Sequence, residues 1–102
     1  MRALRSHLQM PRVRFRFYLT AREVIGSKEV EVEPPGPTLG EALAALRERL
    51  GEKSRVIFDG DGSLKAYYTL IMDGQVIRLP RGLSMELPDG AVIDVLPPVG
   101  GG

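Results

Sequence analysis

Few residues in this chain have the types or spacing to do chemistry. Cysteine is absent and a single histidine, His7, is present. Without cysteine there can be no disulfide, iron–sulfur cluster, thiolate zinc site or thiol nucleophile. One histidine rules out a multi-histidine metal site and fits poorly with a histidine-based triad. The run Asp59-Gly60-Asp61-Gly62-Ser63 spaces its carboxylates as the start of a calcium loop does. Such a loop beginning at Asp59 needs Gly at its sixth position and Glu at its twelfth. Leu64 and Leu70 stand there. The run is therefore read as a surface loop, and no metal site is expected. What is left is the ending, Pro97-Pro98-Val99-Gly100-Gly101-Gly102. Three glycines cannot pack, and a frayed end is the ordinary reading of such a terminus. Its place directly after a strand pattern and a stiff proline pair makes it the most distinctive feature of the chain.

The elements that must position this ending follow from patterning. Val13, Phe15, Phe17 and Leu19 alternate with Arg14, Arg16, Tyr18 and Thr20, the period of a half-buried strand. Ala21–Gly26 turns the chain, and Lys28–Glu33 alternates again, so the two strands form a hairpin. Pro34-Pro35-Gly36-Pro37 stops the second strand. Thr38 with Glu41 is a capping box, and Leu39, Ala42, Leu43, Leu46 and Leu50 recur at helical spacing up to Gly51. A helix over Leu39–Leu50 is predicted.

Glu52–Leu64 is polar, with Val56-Ile57-Phe58 as a short buried anchor. Tyr67–Met72 and Gln75–Leu79 flank Asp73-Gly74, a hairpin signal. Pro80–Pro88 is a connection with Leu83 and Leu87 as apolar anchors. Pro88-Asp89-Gly90 turns the chain into a last strand, Ala91–Leu96, which Pro97-Pro98 ends. The order ββαβββ implies an α+β fold of the β-grasp type. Its mixed sheet has one main helix packed on one face, and its first and last strands are parallel neighbours.

The chain has 102 residues, with 43% hydrophobic and 26% charged residues, as expected for one domain. Residues 1–11 are read as a flexible basic extension, 12–98 as the domain and 99–102 as a flexible glycine-rich tail. Met10-Pro11 offers an alternative natural start. Residues 1–22 carry six arginines and no acid, whereas the remainder carries eight basic and thirteen acidic residues, a balance of −5. A basic arm could meet nucleic acid, but alternation of Arg14 and Arg16 with apolar residues reads as a solvated strand face. No apolar run approaches the ~20 residues of a membrane span, and Met1–Met10 lacks a signal-peptide core. A cytoplasmic protein is expected, with neither membrane nor nucleic acid as partner.

The sequence resembles the sulfur-carrier family that includes the small subunit of molybdopterin synthase (MoaD) and the thiamine-pathway sulfur carrier (ThiS), which are ubiquitin-like β-grasp proteins. The resemblance runs from about Val13 to Gly102. It rests on Phe17-Tyr18 followed by Ala21-Arg22-Glu23-Val24-Ile25-Gly26, on Thr38-Leu39-Gly40-Glu41-Ala42-Leu43, and on Met72-Asp73-Gly74. It continues through Leu87-Pro88-Asp89-Gly90-Ala91-Val92 to the ending itself. The chain departs from the family at Gly100, where Ala or Ser is more usual, and at Ala91, where an acid often stands.

The resemblance implies that the Gly102 carboxylate is adenylated by a ubiquitin-activating-type adenylyltransferase (MoeB-like). ATP would be consumed by that partner, with no cofactor bound to this chain. A sulfur donor protein would convert the adenylate to a thiocarboxylate. The molybdopterin synthase large subunit (MoaE-like) would then take the sulfur. Gly100 and Gly101 would let the tail pass a narrow channel, while Pro97 and Pro98 limit the ordering cost of docking.

The family docks its partners through an apolar sheet patch. The matching positions are Tyr18, Val76 and Leu96, extended by Pro97, Pro98 and Val99. Arg16 and Asp94 are expected to pair on the same face. Other acceptors remain open, namely tRNA thiolation, thiamine or cysteine synthesis, as does covalent attachment to proteins. A binding-only β-grasp module using the N-terminal arginines is the alternative of another class.

Overall fold

The computed structural model describes residues 11–98. The expected N-terminal extension, apart from Pro11, and the residues Val99, Gly100, Gly101 and Gly102 lie outside the described residues. Among those described, five strands form one mixed sheet, β1 (Val13–Phe17), β2 (Glu29–Val32), β3 (Thr69–Met72), β4 (Gln75–Ile77) and β5 (Ala91–Leu96), in the order β2-β1-β5-β3-β4. β1 and β5 are parallel, with Val13 opposite Ala91 and Phe17 opposite Val95. β2 is antiparallel to β1, and β3 is antiparallel to both β4 and β5.

Two helices complete the fold, α1 (Leu19–Ile25) and α2 (Leu39–Leu50). The strand parity follows the alternation in the sequence. Val13, Phe15, Phe17, Leu70, Ile93 and Val95 point inward and are buried. They pack with Leu39, Ala42, Leu43 and Leu46 of α2, and Ala21, Ile25, Ile57, Phe58 and Leu87 join the same core. No buried polar or charged side chain occurs among the described residues.

α2 starts where its capping residues dictate. The Glu41 backbone N–H donates to Thr38 Oγ1 at 3.2 Å, and the Thr38 N–H donates to Glu41 Oε1 at 3.1 Å. Each side chain thus satisfies a backbone donor that the first helical turn leaves free. Gly36 lies against the Glu41 carboxylate, in space that a Cβ would take. The helix start is also tied to the Met85–Leu87 segment, for the Leu39 N–H donates to the Met85 carbonyl and the Leu87 N–H to that of Pro37.

Several expectations change. The β1–β2 connection is a helix rather than a turn. Ala21 and Ile25, one helical turn apart, both reach the core, and Gly26 closes the helix at φ 84°. The Lys53 ammonium donates to the Ile25 carbonyl at 3.0 Å, satisfying an end that seven residues alone leave open. β3 begins at Thr69 and β4 ends at Ile77, both shorter than predicted. A 3₁₀ turn over Arg81–Ser84 leaves Leu83 38% exposed, so Leu87 alone of that pair is a buried anchor. The Asp73-Gly74 turn is present with both residues at positive φ, as a tight hairpin of this twist requires.

Candidate functional site

α2 covers the inner face of the sheet, and strand parity sets what the other face displays. β1 contributes Arg14 and Arg16, β2 Glu29 and Glu31, β5 Val92, Asp94 and Leu96, β3 Thr69 and Ile71, and β4 Val76. One row across the register reads Glu29, Arg16, Asp94, Ile71, Val76. The face is therefore charged on the β2–β1 side and largely apolar on the β5–β3–β4 side.

Arg16 and Asp94 join the two halves. Arg16 Nε donates to Asp94 Oδ1 at 2.7 Å and Nη2 to Oδ2 at 3.2 Å, a forked pair. Its hydrogen bond to the Asp94 carboxylate holds the guanidinium proton more tightly than usual. The Tyr18 hydroxyl donates to the same Oδ1 at 3.1 Å, which fixes its ring on this face. Burial, with that hydrogen bond second, pushes the Tyr18 phenol above its ordinary value. Arg14 is flanked by Glu29 at 3.8 Å and Glu31 at 3.6 Å, and Arg12 lies 3.9 Å from Asp89. The described basic residues of β1 and its approach thus have acidic neighbours and form no free cationic stripe.

Tyr18, Val76 and Leu96 all lie on this outer face. Tyr18 and Leu96 are half-buried near one end of the sheet, and Val76, 53% exposed, stands on the edge strand. Ile71, which sequence reasoning missed, bridges Asp94 to Val76 in the register. Its signal was the alternation Thr69-Leu70-Ile71, which turns Ile71 outward once Leu70 is placed inside. Pro97 departs from expectation. It continues the inward parity of Ile93 and Val95 and is buried, so it braces the strand end and does not extend the exposed patch. Pro98 is exposed. The Asp59–Ser63 loop is closed on itself. The Ser63 hydroxyl and N–H both donate to Asp61 Oδ1, at 2.6 and 2.9 Å, and hold that carboxyl below the usual range.

Three comparisons place this geometry among known proteins. The ThiS family model matches residues 15–102. A curated relative, small archaeal modifier protein 3 of Haloferax volcanii, is 34% identical over 90 residues, spanning 85% of this chain and 95% of that protein. A protein of Archaeoglobus fulgidus described as a candidate sulfur carrier is 26% identical over 78 residues, 76% of this chain and 89% of that one. The crystal structure of SAMP1 from Haloferax volcanii superposes with a TM-score of 0.75 at 27% identity, covering 89% of this chain and 99% of that one. The ubiquitin-like β-grasp architecture is common to them.

Proposed function

The chain belongs to the ThiS family of ubiquitin-like sulfur carriers, and on that premise we propose that Gly102 is its working residue, activated by ATP-dependent adenylation and converted to a thiocarboxylate. The observation that carries the reading is the family match extending through Gly102, on a strand, β5, that delivers the ending from the centre of the sheet. A carboxylate is a poor electrophile. In the proposed sequence it attacks the α-phosphorus of ATP, and pyrophosphate leaves. A donor supplying sulfur at the level of sulfide then attacks the acyl carbon, and AMP leaves. The C-terminal sulfur so formed is the group transferred.

Two acceptors compete. The Pro97-Pro98-Val99 ending supports delivery to a pterin precursor within molybdopterin synthase, with MoaE-like and MoeB-like partners. The 34% identity to small archaeal modifier protein 3 supports attachment of the activated carboxylate to lysines of other proteins.

Intact mass spectrometry of the chain purified from its own cells tests the shared first step. One terminal oxygen replaced by sulfur is the expected result, lost when Gly102 is deleted. Wild-type cofactor production and wild-type conjugation by the Gly102-deleted chain would sink the carrier reading. Isopeptide remnants on other proteins, with normal molybdenum cofactor in a strain lacking the chain, would decide for the modifier.

A further inference from the structure

The strand directions set which residues flank the exit of the chain from the sheet. Because β1 and β5 are parallel, Tyr18 and Leu19 leave the sheet at the end where Pro97 and Pro98 also leave it. β3 enters at that end, since Thr69 lies opposite Leu96, and Tyr67 precedes it. Leu19 is 60% exposed and Tyr67 55%, and the exposed Lys28 and Arg78 lie at the same end. The turns at the opposite end are polar, namely Asp73-Gly74 and the contact in which the Arg12 N–H donates to Asp89 Oδ1 at 2.8 Å.

Leu19 is unusual in a second way. Its φ is 55°, in the left-handed region that leucine rarely adopts. It opens α1, yet α1 buries Ala21 and Ile25. Neither burial nor backbone preference accounts for a leucine here, because Gly or Asn would suit the backbone better. Strained, exposed positions of this kind occur where a surface is pre-set for a partner.

The length of the ending says what that partner must be near. Four residues, Val99–Gly102, separate Pro98 from the terminal carboxylate. At about 3.3–3.6 Å per residue they reach no more than about 14 Å. An enzyme that takes the carboxylate into its active site must bring its own surface within that radius of Pro98. It therefore covers this end of the sheet.

We infer that Leu19, supported by Tyr67, is the docking point for the ATP-dependent enzyme that activates the C-terminal carboxylate, seating in an apolar recess at the rim of that enzyme's active site. This rests on the carrier reading above and is separate from the outer-face patch of Tyr18, Leu96 and Val76. Leu19 would be a specificity residue that contributes to recognition and little to folding.

The test uses the full chain in its own cells as wild type, Leu19→Asn, Leu19→Gly, Leu19→Met and Gly102-deleted. Two quantities are read for each, the melting temperature and the fraction of chains carrying a C-terminal sulfur or an isopeptide bond. Leu19→Asn and Leu19→Gly should melt at or above wild type and be loaded about tenfold less or worse. Leu19→Met keeps the apolar reach and should stay near wild type. Wild-type loading of Leu19→Asn overturns the inference, as does a loading loss that only tracks a lowered melting temperature. If loading needs Gly102 but not Leu19, the docking point falls and the carrier survives. If the Gly102-deleted chain is processed like wild type, the carrier reading falls and takes the docking point with it.

Discussion

Thr38→Ala and Gly36→Ala attack one device from opposite sides. In the first, the Glu41 N–H loses its 3.2 Å acceptor and the Glu41 carboxylate loses the Thr38 hydroxyl at 2.8 Å. Loss of an N-cap side chain costs about 1 kcal/mol, at most about 2. In the second, the new methyl takes the space of the Glu41 carboxylate. Glu41 must swing away, breaking its bond to the Thr38 N–H while leaving the Thr38 cap itself in place. Its cost is about 1 kcal/mol, one net hydrogen bond at a helix start. Because both changes remove the Thr38–Glu41 side-chain contact, the double variant should cost less than the sum, by at least about 0.5 kcal/mol.

The chain lacks tryptophan, so urea unfolding is best followed by far-ultraviolet circular dichroism. Each kcal/mol should lower the melting temperature by about 4–8 °C in a domain of this size. Strict additivity, or a Gly36→Ala chain as stable as wild type, would refute the reasoning. Sulfur loading of chains that remain folded should be unchanged.

Two further outcomes follow from the geometry. Tyr18 and Tyr68 both hold their phenol protons above the ordinary value, each chiefly through burial, with the bond to Asp94 second for Tyr18. A raised folded-state value means that this stability is whole below about pH 10 and is lost as the pH climbs through the folded value. Tyr18→Phe should therefore flatten the alkaline limb of a melting-temperature profile and leave the acid limb alone; a change confined to acid pH contradicts it. Ile93→Ala should cost about 2–5 kcal/mol, because the side chain is fully buried. Val76→Ala on the outer face should stay within about 0.5 kcal/mol. Equal costs in chemical denaturation would mean that the faces of the sheet are misassigned.

Where local chemistry and tertiary packing agree, the fold was readable in advance. α2 begins and ends at its predicted residues because the capping box, the apolar spacing and Gly51 each act within the segment. β5 and the Asp73-Gly74 turn were legible for the same reason, and so was the Arg16–Asp94 pair once the parities of β1 and β5 were known. α1 was not. Seven residues are too few to show a helical period, and its C-terminal end depends on Gly26 and on Lys53, which approaches from 28 residues away. The role of Gly36 was hidden because the residue reads as part of a strand stop, whereas its lack of a side chain serves Glu41. Leu19 was read as the last inward position of the first strand, yet it is exposed and opens α1, since a positive φ at leucine leaves no mark on composition or spacing. Pro97 was read as a partner contact that stops the last strand, whereas the parity of Ile93 and Val95 carries on to it and turns it inward.

The strand order carries a mechanical consequence. β5 lies in the middle of the sheet, with β1 bonded along one side and β3 along the other. An enzyme that draws the C-terminus into a channel pulls along the axis of β5. Both ladders then bear the load in shear, with many hydrogen bonds sharing it, and none is peeled open singly as at an edge strand. The buried Pro97 adds a wedge at the point where the load enters. A pull on the last residues is thus resisted by the whole centre of the sheet, and the domain can bear it while staying folded.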